Sequence, residues 1–375
     1  MRVAMVIQSF LPVLGGAQRQ VDLLGEPLRR RGVDLTVLTR HPPGTPRREA
    51  RAGLSVRRMP GPDHGPAGSI AYTAGGAAAL ARLRPDVVHV HDLLSPSTIA
   101  LLSRPAVRAP IVAKVLSTGP GGDLTRLLTK PLGLQRMRLM AKAFSAFICL
   151  SDEVRAELGA HGIPEERLRR IPNGVDAETF RPPTPAEREA ERARLGIDPS
   201  APLALYTGRF APVKRLDLLI AAAARLPDLR LVMVGEGSEE ARLRELVTSR
   251  GLQDRVLLLP LVEDPASLYR AADVYVCASS TEGMSNSVLE AMASGLPVVA
   301  AAASGMAELV SPRTGALVEA VDDGAAFAAA LGPATEAETR QRLGAAARDL
   351  VVERYSLESV AAALRELYDE VLAER

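Results

Sequence analysis

Val274-Tyr275-Val276-Cys277-Ala278 runs directly into Ser279-Ser280-Thr281-Glu282-Gly283-Met284-Ser285-Asn286-Ser287-Val288-Leu289-Glu290-Ala291-Met292. The first five residues form a short apolar run bounded by small polar residues, the pattern of a buried strand. Ser285 or Asn286 is a suitable N-cap, and Val288, Leu289 and Met292 follow at helical spacing, so the second stretch reads as a polar loop opening a helix. A helix start of this kind presents backbone N–H groups and a positive dipole end to an anion, which suits a diphosphate. Glu290, a turn inside the helix, can accept two hydrogen bonds from a ribose diol, and Glu282 at the rim can bind sugar hydroxyls. Gly283, Met284, Ser285, Asn286 and Ser287 would line the same donor site. The bland reading of this stretch is a capped helix carrying ordinary surface acids.

The strand-loop-helix rhythm extends outward in both directions. Apolar runs at Leu203–Thr207, Leu231–Val234, Val256–Leu259 and Pro297–Ala300 alternate with helical segments, and a separate series at Val3–Ile7, Asp34–Leu38, Asp86–Val90, Ile111–Val115 and Ala146–Leu150 does the same. Such alternation predicts an α/β fold with parallel sheets covered on both faces. A Pro-rich, charged stretch divides the two series. The expected organisation is an N-terminal Rossmann-like domain over 1–176, a linker over 177–200 and a second domain over 201–356. A terminal helix over 357–375 is expected to pack back on the first domain. In doubly wound sheets ligands sit beyond the carboxyl ends of the strands, and the notable residues fall there.

Tyr206-Thr207-Gly208-Arg209-Phe210-Ala211-Pro212-Val213-Lys214 follows one such strand. Gly208 permits close backbone approach, and Arg209 and Lys214 are two cations that can meet a diphosphate, one as a planar fork and one as a point charge; otherwise they are solvated charges before a helix. Lys214 is one of only four lysines among 46 basic residues, so it is less readily dismissed as surface filler. Val234-Gly235-Glu236-Gly237 gives a flexible turn after another strand. In the first half, Pro12-Val13-Leu14-Gly15-Gly16-Ala17-Gln18 joins strand to helix, and Gly15 and Gly16 can bring amides against a phosphate. This is not the G-x-G-x-x-G fingerprint with a following acid, which disfavours a nicotinamide oxidoreductase. Val88-His89-Val90-His91-Asp92 places both histidines on one strand face; His91 is either a group that positions a hydroxyl or a hydrogen-bonded structural histidine.

Composition narrows the classes further. A chain of 375 residues with 47% hydrophobic content suits two domains. Its 46 basic and 44 acidic residues give a net charge of +2, which offers no argument for nucleic acid. Cys149 and Cys277 each end an apolar run and read as buried core residues of a reducing compartment. No Cys/His cluster, H-E-x-x-H or D-x-D pair suggests a metal, so no metal or other cofactor is expected. Met1–Phe10 reads as a first strand and not as a signal peptide, and no run approaches a membrane span. A cytoplasmic protein is expected.

Together these motifs closely resemble glycosyltransferase family 4, the retaining enzymes of the GT-B fold. The resemblance covers nearly the whole chain: Gly15-Gly16; Ile171-Pro172-Asn173-Gly174-Val175-Asp176 with Phe180; Gly208-Arg209 through Lys214; Val234-Gly235-Glu236-Gly237; and Glu282 to Glu290, similar to the family's E-x7-E motif. Ala291 to Ala300 and Ser304-Gly305-Met306-Ala307-Glu308 extend it. It implies two doubly wound domains facing each other across a cleft and a nucleotide-sugar donor, with Glu290 on ribose, Arg209 and Lys214 on diphosphate and Glu282 on the sugar. The acceptor hydroxyl would belong to a sugar, a lipid-linked species or a small molecule. Many members carry a histidine after the strand that here reads Ile111-Val112-Ala113-Lys114-Val115-Leu116-Ser117-Thr118-Gly119. This chain has none there, and Lys114, Ser117 and Asp123 are its acceptor-side candidates. The usual Lys-Gly after the arginine is Lys214-Arg215. An epimerase or hydrolase on the same fold and a non-catalytic nucleotide-binding protein are the rival readings.

Leu124 to Ala143 interleaves Arg126, Lys130, Arg136, Arg138 and Lys142 with leucines and methionines. This is either a plain amphipathic surface segment or a peripheral contact with an anionic membrane.

Overall fold

The structure, a computed structural model, describes all residues except 14, 60, 62–64, 120, 263, 304, 320–323 and 375. Leu14 of the first glycine loop and Ser304 of the run ending at Glu308 therefore lie outside the described residues. The chain divides into two compact units: Met1–Gly174 with Leu357–Arg375, and Val175–Ser356.

In the first unit, β1 (Arg2–Val6), β2 (Asp34–Arg40), β3 (Arg48–Arg51), β4 (Leu54–Met59), β5 (Val87–His91), β6 (Ile111–Val115), β7 (Ala146–Cys149) and β8 (Leu168–Arg170) form one sheet among the described residues, in the order β3-β4-β2-β1-β5-β6-β7-β8. Only β3 runs antiparallel, against β4. Successive side chains of a strand point to opposite faces, so Val3 and Met5 join one apolar cluster while Ala4 and Val6 join another. Both faces are covered, which is why β5 and β6 are buried along their whole length. The helices are α1 (Gly16–Arg30), α2 (Gly65–Leu83), α3 (Ser95–Ser103), α4 (Asp123–Leu128), α5 (Gly133–Ala143) and α6 (Asp152–Ala160).

In the second unit, α7 (Pro185–Arg194), α8 (Leu216–Arg225), α9 (Glu240–Ser249), α10 (Pro265–Ala271), α11 (Asn286–Ala293), α12 (Met306–Leu309), α13 (Gly324–Thr335) and α14 (Ala337–Arg354) surround a parallel sheet. Its strands are β9 (Leu203–Thr207), β10 (Arg230–Val234), β11 (Val256–Leu259), β12 (Val274–Cys277), β13 (Val298–Ala301) and β14 (Gly315–Val318), in the order β11-β10-β9-β12-β13-β14. Each sheet reverses direction of growth beside its first strand, between β1 and β5 in one unit and between β9 and β12 in the other. Crevices at such reversals receive ligands in doubly wound folds. The final helix, α15 (Leu357–Ala373), belongs to the first unit, where Leu364, Leu367 and Tyr368 join the cluster containing Val3 and Met5.

One expectation is corrected. Residues 177–200 are not a linker, since the division falls at Gly174 and the whole stretch is part of the second unit. Its helix α7 opens with a capping box of Thr184 and Glu187 and is fastened by Arg192, which is buried and donates to the carbonyls of Ala271, Asp198, Pro199 and Ala201 at 2.9, 3.2, 2.8 and 2.8 Å. Arg192, Arg188 and Arg340 all pair with buried Asp273. Prolines and surface charge made this stretch look like a connection; one inward arginine makes it part of a core. Strands β3, β4, β8 and β14 were also not anticipated, because they are short or carry polar and glycine positions that leave no apolar run.

Candidate active site

The loops that leave β9 and β12, neighbours at the reversal point of the second sheet, carry most of the candidate donor-site residues. Ser280 N–H donates to the Val213 carbonyl at 2.9 Å and Ser280 Oγ–H to the same oxygen at 3.2 Å, which ties the two loops together. Across that tie Lys214 Nζ donates to Glu282 Oε1, and Ser279 Oγ–H donates to the same carboxylate oxygen at 3.1 Å. The side chains of Lys214 and Glu282 are 18% and 15% exposed. Two residues assigned from sequence to phosphate and sugar therefore form one ion pair. Arg209 is exposed, with no side-chain partner among the described residues.

Glycine is required where these loops meet. Gly208 N–H donates to Val234 O at 2.9 Å, and a Cβ on Gly235, at φ +157°, would stand 1.9 Å from the Gly208 carbonyl oxygen. Gly305, at φ +78°, lies against Gly283, whose oxygen would be 2.2 Å from an added Cβ.

Glu290 stands in the second turn of α11 and is buried. Tyr269 Oη–H donates to its Oε2 at 2.8 Å. Burial, and then the charge of Glu290, push the Tyr269 phenol well above its ordinary pKa, so it remains a donor. Ser285 occupies the N-cap position of α11 but makes no capping bond; its hydroxyl meets Ser287 Oγ at 3.1 Å. The expected side-chain cap is thus absent at Ser285. Gly283, Met284 and Asn286 complete the loop and first turn.

In the first unit Gly15 is the extended N-cap residue of α1 and Gly16 its first residue, with no acid in the first turn. His89 and His91 do share a face of β5, with ring centroids 4.6 Å apart. Each is about 1% exposed; His89 Nδ1 meets Tyr368 Oη at 2.7 Å, whereas neither ring nitrogen of His91 has a hydrogen-bond partner among the described residues. Burial, reinforced by Lys114, lowers the His89 pKa to about 3 and places His91 well below its usual range, so both are neutral. His91 pairs in register with Lys114 on β6. Lys114 is buried, donates to Asn173 Oδ1 at 2.9 Å, and has its pKa lowered to about 8 by desolvation.

Asp123, at the start of α4, accepts from Leu116 N at 2.7 Å while its own N–H donates to Ser117 O at 3.1 Å. Burial raises its pKa to about 6. Asp92, not anticipated, holds φ +79° just past His91, accepts from Leu94 N at 2.7 Å, and is raised to about 7 by burial and then by Asp123. Tyr269 and Thr207 are the other residues that sequence reasoning did not assign. Thr207 was legible as a polar strand end beside Gly208, but a tyrosine on α10 carries no such signal. Among the described residues no group of three or more His, Cys, Asp or Glu could hold a metal ion.

The family described as "Glycosyltransferase Family 4" matches residues 14–179, and that described as "Glycosyl transferases group 1" matches 187–350. A D-inositol 3-phosphate glycosyltransferase of Xylanimonas cellulosilytica is 31% identical over 395 aligned residues, covering 96% of this chain and 93% of that protein. Its counterpart in Geodermatophilus obscurus is 35% identical over 355, covering 84% and 77%. Among solved structures, sucrose-phosphate synthase from Thermosynechococcus elongatus superposes with a TM-score of 0.85 at 24% identity, covering 100% of both chains. Anabaena HepE in complex with UDP-glucose gives 0.81 at 20%, again over 100% of both. The fold is thus GT-B, and with these relatives and both family matches the chain belongs to glycosyltransferase family 4 and is a glycosyltransferase.

Proposed function

We propose that this glycosyltransferase moves a sugar with retention of configuration from a nucleoside-diphosphate sugar to an acceptor hydroxyl, without a metal ion. The observation that carries the reading is the joining of Lys214, Glu282 and Ser279 across the β9 and β12 loops, with Glu290 a turn into α11. Glu290 receives the ribose diol, and Arg209 and Lys214 receive the diphosphate. When phosphate oxygens take over Lys214, Glu282 is released to the sugar hydroxyls. The anomeric carbon–oxygen bond to the leaving phosphate breaks as the bond to the acceptor oxygen forms on the same face, and the acceptor proton passes to the departing phosphate. No carboxylate nucleophile enters this scheme. The two cations act mainly on the charge that grows on the leaving group, so they favour the transition state over the ground state.

The relatives named D-inositol 3-phosphate glycosyltransferases support a small phosphorylated polyol as one acceptor class. Lys114, buried and bonded to the neutral Asn173 amide, is a cation compatible with such an acceptor on the first unit. The test combines UDP-, GDP- and ADP-sugars with inositol phosphates, free sugars and lipid-linked acceptors, in the presence of EDTA, with the anomeric configuration of the product read by NMR. An inverted product, or activity abolished by EDTA, would overturn the scheme. Donor consumption without any acceptor would favour the hydrolase or epimerase reading, and binding without turnover the non-catalytic one.

A specific observation also favours peripheral membrane contact. Leu132, Leu134 and Leu139 are 67, 47 and 55% exposed, beside exposed Lys130, Arg138 and Lys142. Arg136 is not part of this face, because it turns inward to Leu94 O and Thr98 Oγ1 at 2.9 and 2.6 Å. No described helix is long and apolar enough to cross a membrane. We propose that this face lies on anionic lipid. Co-sedimentation with vesicles containing phosphatidylglycerol should fall on Leu134→Ser with Arg138→Ala; unchanged binding would refute the contact.

A further inference from the structure

A buried carboxylate must be matched by donors if it is to remain charged. For Glu290 one donor is the Tyr269 hydroxyl, 2.8 Å from Oε2. The same hydroxyl lies 2.6 Å from Thr207 Oγ1. A phenol has a single hydrogen and an ionised carboxylate can only accept. The Tyr269 hydrogen therefore goes to Glu290, and the Thr207 hydroxyl donates to Tyr269, giving a relay with one polarity from Thr207 through Tyr269 to Glu290.

The tyrosine itself is held between two aromatic rings. It is fully buried, its ring stacks on Tyr275 with centroids 5.9 Å apart, and it meets the Phe180 ring edge-on at 5.4 Å. Tyr275 Oη–H in turn donates to the Thr207 carbonyl at 3.0 Å. A rigid ring of this kind delivers its hydroxyl to a defined place at little entropic cost, so it fixes the rotation of the carboxylate it touches. Packing alone would be served as well by phenylalanine, which has the same ring and no hydroxyl.

We propose that Tyr269 is a positioning residue for donor recognition: its hydroxyl holds the Glu290 carboxylate in the orientation that receives the ribose diol, and Thr207 links that carboxylate to the Gly208-Arg209 loop. The inference rests on the reading of Glu290 as the ribose ligand. It goes beyond that reading by assigning ribose discrimination to a side chain that does not touch the donor.

Calorimetric titration of the full chain tests it, using whichever of UDP, GDP and ADP stabilises the protein most and the 2′,3′-dideoxy form of the same diphosphate. Tyr269→Phe should weaken the ribose form about three- to tenfold, the range of an ordinary net hydrogen bond, and leave the dideoxy form unchanged. The loss should vanish in the Glu290→Ala background, and Thr207→Val should reproduce it in smaller measure. Equal weakening of both nucleotides, or no weakening, overturns the positioning role. If Glu290→Ala weakens the ribose and dideoxy forms equally, or none of the three diphosphates binds, the underlying assignment falls and the inference with it. If Glu290→Ala weakens the ribose form alone and Tyr269→Phe weakens both forms equally or neither, only the inference falls.

Discussion

Lys214 and Glu282 illustrate how much a single ion pair constrains a mechanism. A phosphate can draw Lys214 away only if the exchange is favourable, and it gains from having two cations available, Arg209 being exposed and without a side-chain partner among the described residues. Lys214→Ala should therefore act chiefly on turnover, lowering kcat by about a hundredfold or more while the donor KM changes little. Glu290→Ala should act on binding, raising the donor KM about tenfold or more with a smaller effect on kcat. Steady-state kinetics of the two variants with one donor separates these roles; equal and minor effects would undo both assignments. These residues were legible in the sequence because each sits in a strand-end loop or in the opening turns of the helix that follows it, where glycines and a helix start announce it. Tyr269 was not, since its contribution depends on where α10 packs and on a hydrogen-bond partner 21 residues away.

Asp92 permits a second prediction at the same scale. Its folded pKa is raised from the ordinary 3.8 to about 7, first by burial and then by Asp123. The folded state therefore binds more protons than the unfolded state between about pH 4 and pH 7, so this group favours folding most below that window, and its contribution declines as pH rises through it. Asn keeps the shape, still accepts from Leu94 N, and tolerates the positive φ that Asp92 adopts. Asp92→Asn should raise the thermal midpoint by at least about 2 °C at pH 8 and leave it nearly unchanged at pH 4. Differential scanning calorimetry at the two pH values checks the sign; a larger gain at pH 4 would contradict the direction of the shift.

At the scale of elements, α7 shows where sequence reading stops. Its composition, with prolines on one side and alternating charge within, carries the marks of a solvated connection. No pattern reveals that Arg192 turns inward, because an arginine enters a core only when several acceptors converge on it. Here four carbonyls and Asp273 converge. The parallel strands β7, β12 and β13 were legible by contrast, since burial on both faces demands continuous apolar runs. Arg192→Ala should destabilise the second unit by about 3 kcal/mol or more, because it leaves Asp273 short of a partner and strips bonds from those carbonyls. Arg188→Ala should cost less, since Arg192 and Arg340 still reach Asp273. Urea unfolding of the two variants gives the comparison, and equal costs would show that Arg192 is no special anchor.

For the whole molecule, the chain passes from the first unit into the second at Gly174 and returns at Leu357. The return places α15 in the cluster formed by β1, β2 and α1, where Val360, Leu364, Leu367, Tyr368 and Val371 are buried, and it supplies a hydrogen-bond partner for His89, the Tyr368 hydroxyl. Each of those apolar side chains contributes about 1.5–3 kcal/mol when fully buried, so the helix contributes a large fraction of the stability of an ordinary domain. The proposed donor residues Arg209, Lys214, Glu282 and Glu290 all belong to the other unit, whose own sheet and core do not include α15. Removing residues 357–375 should therefore abolish the cooperative unfolding transition of the first unit while the second still unfolds cooperatively and still gains stability from the nucleoside diphosphate. Transfer should be lost along with the first unit. Calorimetry of the shortened chain with and without the diphosphate provides both readings. Loss of the nucleotide response together with the first transition would mean that the donor site depends on the first unit, and that Glu290 and the two cations are not sufficient to hold the nucleotide by themselves.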